Sequence, residues 1–194
     1  MNLRIFCLSC CTIWTGFWHY FASGSLKVGD KIPHFILTNQ DGDLIDIADY
    51  PRFGDYFILY FYPKDNTPGC TTQACAFNNV YSKLKDLKVD LLGVSGDSES
   101  SHSHFAGTYD LKFSLLSDVS TKGKKTVRDL FGLKTYDRIT YIINKNKEIV
   151  FKYDNLMKPE QHIFKVMRFF EELEQTKNLI QKTVENQIEI EEEK

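Results

Sequence analysis

Apolar and polar positions along this chain change period several times between Val28 and Leu173, and each period predicts a different element. Phe35 to Thr38 and Leu44 to Ile47 flank Asn39-Gln40-Asp41-Gly42-Asp43, which reads as a hairpin turning at Asp-Gly. Tyr56-Phe57-Ile58-Leu59-Tyr60-Phe61-Tyr62 is apolar without interruption, the habit of a central parallel strand buried on both faces, and Pro63 ends it. After a loop, Ala74, Phe77, Tyr81, Leu84 and Leu87 recur at helical spacing and predict a helix from about Thr71 to Leu87. Val89 to Val94 predicts a strand. Ser98 to Tyr109 predicts a helix with Ser98 as N-cap. Ser114 to Ser117 is a short strand, and Lys122 to Phe131 a helix closed by Gly132. Ile139 to Ile143 and Glu148 to Tyr153 are strands joined by a tight polar turn. A long helix starts at Pro159, with Ile163, Val166, Met167, Phe170 and Leu173 on one face. Strands alternating with helices, then a closing hairpin and a helix, indicate an α/β layered fold.

The 194 residues suit one domain rather than two. With 42% hydrophobic and 26% charged residues, the composition is that of an ordinary globular protein. A formal net charge of -2 gives no electrostatic case for nucleic acid, and the short basic clusters Lys122/Lys124/Lys125 and Lys145/Lys147 lack interleaved aromatics. The domain is expected over residues 25–173. Residues 174–194, with sparse Ile180, Val184 and Ile188 and a terminal Glu191-Glu192-Glu193, are expected to form an acidic tail, either a fraying helical extension or disordered. Residues 1–24 are set apart by composition. Their apolar stretch from Ile5 to Phe21 is broken by Ser9, Thr12, Thr15, Gly16 and His19, short of the ~18 unbroken residues of a stable membrane span. Ala22-Ser23-Gly24 resembles a signal-peptidase site. A cleaved secretory signal would send the chain into the secretory pathway or an organelle derived from it; an uncleaved extension would leave it in the cytoplasm.

Cys7, Cys10 and Cys11 fall in this leader and lack the further ligands that would complete a metal site. Cys70 and Cys75 lie in mid-chain. Cys70 sits where a buried strand passes through a loop into a helix, beside the helix's first turn. There the unpaired N–H groups and the positive end of the dipole favour a thiolate, which is the nucleophilic form of cysteine. Cys75 is five residues further along the same predicted helix. Five residues advance ~7.5 Å and turn ~500°, which separates the two Cα atoms by roughly 8–9 Å. A disulfide needs less than ~7 Å. Either both thiols stay free or the first helical turns unwind during a reaction cycle, in which a sulfenic acid on Cys70 condenses with Cys75.

Pro63-x-x-x-Thr67-x-x-Cys70 matches the signature of the peroxiredoxins. The fuller Asn66-Thr67-Pro68-Gly69-Cys70-Thr71, with Cys75, resembles the bacterioferritin-comigratory-protein or peroxiredoxin Q subgroup. The resemblance runs from about Leu26 to Leu173. It includes Lys27-Val28-Gly29-Asp30-Lys31-Ile32-Pro33-His34-Phe35, where His34 replaces a usual acidic residue, and Gly93-Val94-Ser95-Gly96-Asp97-Ser98. It implies a thioredoxin-like fold and the reduction of hydroperoxides to water or alcohol without a cofactor. Cys70 would attack the peroxide and Cys75 would resolve the product. Thr67 would hold the substrate oxygens, with Pro63, Pro68 and Gly69 shaping the pocket. Arg138, before Ile139-Thr140-Tyr141-Ile142-Ile143, matches the arginine that steadies thiolate and leaving oxygen. A thioredoxin-like dithiol would recycle a monomer whose disulfide is intramolecular. Gln73 and Arg128 read as structural, and His102 and His104 as solvated. A thioredoxin-type reductase would want Cys-x-x-Cys instead of Cys-x4-Cys. A non-catalytic redox sensor or binding protein acting through the acidic tail is the other class of reading.

Overall fold

A computed structural model describes residues 24–192. The apolar run forms β3 (Tyr56–Phe61), whose residues alternate between two cores. Ile58 and Tyr60 enter one apolar cluster; Phe57, Leu59 and Phe61 enter the other. β3 is an interior strand, next to the central β4, of a seven-stranded mixed sheet with β1 (Ile36–Asn39), β2 (Leu44–Asp46), β4 (Asp90–Ser95), β5 (Ser114–Ser117), β6 (Ile139–Asn144) and β7 (Ile149–Asp154), in the order β2-β1-β5-β4-β3-β6-β7. β3, β4 and β5 are parallel; β6 runs antiparallel to β3, and β7 to β6. The β1–β2 hairpin turns at Gly42, whose φ of 86° is cheap only for glycine.

One sheet face is covered by α1 (Pro68–Asn79), α2 (Tyr81–Asp86), α3 (Glu99–Tyr109) and the start of α5 (Pro159–Glu192). Phe77, Leu84, Phe105, Val166 and Phe170 from these helices meet Ile58, Tyr60 and Tyr62 of the sheet side. The other face packs under the N-terminal segment, the β1–β2 hairpin and the short α4 (Val127–Leu130). This is the expected thioredoxin-like layering.

Two elements differ from the expected spans. The helix predicted over Thr71 to Leu87 begins earlier, at Pro68, because a proline is pre-shaped for a first helical turn. It also divides at Val80, whose N–H turns back to Phe77 and Asn78 in a tightened last turn. The helix predicted over Lys122 to Phe131 shrinks to α4. Gly123 takes φ 84° in a turn, and Thr126 and Asp129 form a capping box that starts the helix there. The expected C-terminal helical extension is present and runs on from α5 without a break as far as Glu192, differing only in not fraying, with Leu179, Ile180, Val184 and Ile188 exposed. No helix among the described residues is long and apolar enough to cross a membrane. The expected leader and its three cysteines lie almost wholly outside the described residues.

Candidate active site

The site forms where β3 runs out. Tyr62 still donates its N–H to the Val94 carbonyl at 3.1 Å, the loop Pro63–Thr67 follows, and α1 begins. Cys70 is in the first turn of α1 and 2% exposed, packed into the cluster that holds Tyr60, Tyr62 and Ala74. Thr67 stands at the N-cap, but its hydroxyl makes no capping bond; it donates to the Lys64 carbonyl at 3.1 Å. Pro68 has no N–H. The first N–H groups of α1, beside Cys70, are therefore not taken up by the cap side chain and remain available to an anion.

Arg138 reaches this turn from the residue before β6. It is 4% exposed, and each of its nitrogens is used. Nη2 lies 3.5 Å from Cys70 Sγ, Nη1 donates to Gln73 Oε1 at 2.6 Å, and Nε donates to the Leu156 carbonyl at 3.1 Å. The Nη2 end of the guanidinium approaches Gly69 closely: a Cβ there would sit 3.1 Å from Nη2, so any larger residue would make the guanidinium give way by a few tenths of an ångström. Sequence reading treated Gln73 as structural, and the geometry revises this. Gln73 is fully buried one turn beyond Cys70 and holds the guanidinium on the sulfur side, and its own Nε2 has no partner among the described residues. The available signal was spacing, since Gln73 shares a helix face with Cys70, Ala74 and Phe77. Arg128 is structural as expected, donating to the carbonyls of Tyr62, Lys134 and Asp137.

A second tier holds Arg138 in place. The Asn155 N–H donates to the Arg138 carbonyl at 3.2 Å, and the Asn155 carbonyl takes the His162 Nε2–H at 2.9 Å. His162 Nδ1 accepts from the Thr140 hydroxyl at 2.8 Å. One donor and one acceptor around the ring fit a neutral imidazole. Burial, reinforced by the nearby Arg138 charge, pushes His162 down to about 4 against the opposing bond to Asn155. An unfolded chain binds this proton near pH 6.5, the folded one only near 4. Stability is therefore expected to be full above pH 6.5 and to fall by on the order of 3 kcal/mol as pH drops toward 4. Urea titrations across that range should show the loss, and His162→Leu should flatten this part of it.

His102 overturns an expectation. It was read as solvated, yet it is fully buried on α3, while His104 is exposed. Its Nδ1 lies 2.9 Å from Asp65 Oδ2 and its Nε2 3.2 Å from the Leu116 carbonyl. Asp65, in the loop before Cys70, also accepts from the Tyr62 hydroxyl and from the Ser101 hydroxyl, both at 2.7 Å. Burial works to raise the Asp65 carboxyl, and the bonds from His102, Ser101 and Tyr62 outweigh it, holding it below the ordinary range. The missed signal is again helical: His102 precedes Phe105 and Ala106 by three and four residues, on the buried face of α3.

Among the remaining expected residues, Gly69 is half-buried next to Cys70, Pro63 is half-buried against a cavity lined by Asp118, Arg128 and Leu133, and Pro68 is exposed at the start of α1. Cys75 is half-buried in the same unbroken helix, and both thiols are free. Residues 28–152 match the AhpC/TSA family. The chain is a peroxiredoxin of that family.

This peroxiredoxin is 39% identical over 153 residues to "Peroxiredoxin Q, chloroplastic" of Oryza sativa subsp. japonica, covering 77% of this chain and 69% of the relative. It is 40% identical over 144 residues to the protein of the same name in Arabidopsis thaliana, covering 73% and 65%. Peroxidoxin BcpB from Mycobacterium tuberculosis superposes with a TM-score of 0.63 at 26% identity, over 72% of this chain and 93% of that one. A peroxiredoxin Q from Xylella fastidiosa shares the fold, with a TM-score of 0.59 at 23% identity over 75% and 98%. The relatives place the chain in the peroxiredoxin Q subgroup, and peroxiredoxins are thiol peroxidases.

Proposed function

We propose that this peroxiredoxin reduces hydrogen peroxide and organic hydroperoxides through Cys70 and an intramolecular disulfide with Cys75. The observation that carries the reading is Arg138 Nη2 beside Cys70 Sγ in the first turn of α1. The Cys70 thiolate attacks the terminal peroxide oxygen, the O–O bond breaks, and the other oxygen leaves with a proton as water or alcohol. The uncapped N–H groups of α1 and the guanidinium stabilise the negative charge as it moves from sulfur to the departing oxygen. Thr67 keeps its oxygen lone pairs for the peroxide. Cys70 is left as a sulfenic acid. Cys75 condenses with it, an S–S bond forms and water is released.

That second step cannot occur within the α1 described above, because five helical residues hold the two Cα atoms roughly 8–9 Å apart. The first turns of α1 must open. A thioredoxin-like dithiol then supplies two electrons to restore both thiols. Catalysis resides in residues 25–173 of a monomer, and the extension 174–194 contributes nothing to the chemistry.

The test is hydroperoxide consumption by the whole chain coupled to a thioredoxin system, with amide exchange measured on the reduced and oxidised forms. Turnover together with faster exchange from Cys70 to Tyr81 in the oxidised form is expected. Turnover with equal protection in both forms would overturn the opening of α1. An absence of turnover with any small dithiol protein would overturn the cycle.

A further inference from the structure

The loop between β3 and α1 is fixed at its centre by a buried ion pair that plays no part in the steps above. Asp65 and His102 are 4% and 0% exposed. Both ring nitrogens of His102 face acceptors, a carboxylate oxygen at one end and a backbone carbonyl at the other. The Tyr62 hydroxyl, 3.4 Å from Nδ1, gives its proton to Asp65 Oδ1. A neutral imidazole would aim a lone pair at one of these acceptors in a site sealed from water. Only the imidazolium, with two N–H donors, satisfies both. This contrasts with His162, which faces one donor and one acceptor and fits the neutral ring.

The pair is joined to the loop on every side. The Asp65 N–H donates to Asp97 Oδ2 at 2.9 Å, and Ser95 Oγ donates to the same carboxylate oxygen at 2.7 Å. The next residue, Asn66, sits at φ 55°, in the left-handed region that asparagine adopts more readily than most other non-glycine residues. Thr67 then closes the loop back onto Lys64. Beyond Thr67, α1 is tied back by the Thr71 N–H to the Thr67 carbonyl and by Arg138, which reaches Cys70 and Gln73.

We infer that His102 is a positioning residue: by gripping Asp65 it fastens Pro63–Thr67 to α3, so that Thr67 keeps its place while α1 opens from Cys70 onward. This rests on the cycle proposed above. It divides the site into a fixed half, which receives the peroxide, and a half that opens for Cys75. Loosening the grip should slow the first step, which needs Thr67 and the start of α1 in register, and should spare the second, which needs α1 to come apart.

The experiment is single-turnover kinetics of the whole chain, resolving sulfenate formation on Cys70 from disulfide formation, for wild type, His102→Gln and Ser101→Ala. Glutamine cannot donate at both ends of the cavity, and Ser101→Ala removes one bond to the same Asp65 oxygen while leaving the ion pair. Sulfenate formation in His102→Gln should fall by on the order of tenfold, as displacements of reacting groups by a fraction of an ångström do. In Ser101→Ala the fall should be about threefold, the scale of one modest hydrogen bond. Disulfide formation should be as fast as in wild type or faster in both. A merely structural pair would lower the melting temperature and leave both rates unchanged in the folded protein; that result, or equal slowing of the two steps, overturns the inference. If His102→Gln does not fold, Ser101→Ala decides, and an unchanged sulfenate step there overturns it. A wild-type chain that forms no sulfenate on Cys70 overturns the cycle itself, which is a different failure.

Discussion

Cys70→Ser is expected to abolish peroxide consumption, by more than about a thousandfold, the scale on which enzymes lose a nucleophile. Serine keeps the size of the side chain in its 2% exposed position, so the fold and the contacts of Tyr60, Tyr62 and Ala74 survive. What is lost is the sulfur that can be anionic near neutral pH and can carry the transferred oxygen. Cys75→Ser should behave differently. It should consume one equivalent of peroxide per chain at the wild-type rate and then stop with a small dithiol protein as sole reductant, because the Cys70 sulfenic acid has no partner. An external thiol that can reach Cys70 should restore partial turnover. The measurement is peroxide loss per chain with and without the thioredoxin system. Multiple turnovers by Cys75→Ser at the wild-type rate would remove Cys75 from the cycle. Equal activity in all three proteins would remove the peroxidase reading of this site.

The two cysteines were legible because a strand-loop-helix junction announces itself in local pattern. Tyr56 to Tyr62 is too uniformly apolar to be other than a buried strand, Pro63 stops it, and the helical spacing from Ala74 onward announces a helix, although that spacing places its start at Thr71 and not at Pro68. Those residues fix where Cys70 must lie without reference to the rest of the chain. Arg138 was legible only by resemblance. Nothing local distinguishes it from a surface arginine at a strand start, and its burial comes from Gly69, Gln73 and the Leu156 carbonyl, segments up to 69 residues away in sequence. The same limit hid His102. Its partners are Asp65 and the Leu116 carbonyl, brought together by β4 and β5 pairing in parallel next to β3. Long-range pairing buries polar residues and gives them partners, whereas periodicity reports only that a helix face is apolar. In α4 the signal was present and outweighed: Thr126 and Asp129 have capping-box spacing, but the lysines before them extend the helical pattern backwards past Gly123. The unbroken α5 reflects another limit. Charged, helix-favouring residues from Glu174 onward sustain a helix that no packing requires.

Arg138→Met should leave Cys70 in place and remove what makes it effective. The guanidinium is within 3.5 Å of Sγ and is held by Gln73 and by the Leu156 carbonyl, while the Asn155 N–H, itself in a segment bonded by His162, holds the Arg138 backbone carbonyl. Losing a preorganised cation aimed at developing charge typically costs about 10²–10³ in rate, and the sulfenate-forming step should slow on that scale. Arg138→Lys should recover part of it. An ammonium keeps the charge, but it cannot face the sulfur, Gln73 Oε1 and the Leu156 carbonyl together through a planar fork. Arg138→Met also strands the buried oxygen of Gln73, whose Nε2 lacks a partner among the described residues, so it should lose roughly 1–3 kcal/mol of stability. The two effects separate by a second substitution. Gln73→Met in the Arg138→Met background removes the stranded amide, so it should regain stability and leave the rate where Arg138→Met put it. Single-turnover kinetics beside urea titrations check both. Recovery of the rate together with stability would mean that Arg138 acts on this site only by supporting the fold. A rate that stays low in a restored fold would assign the loss to the missing charge at the sulfur.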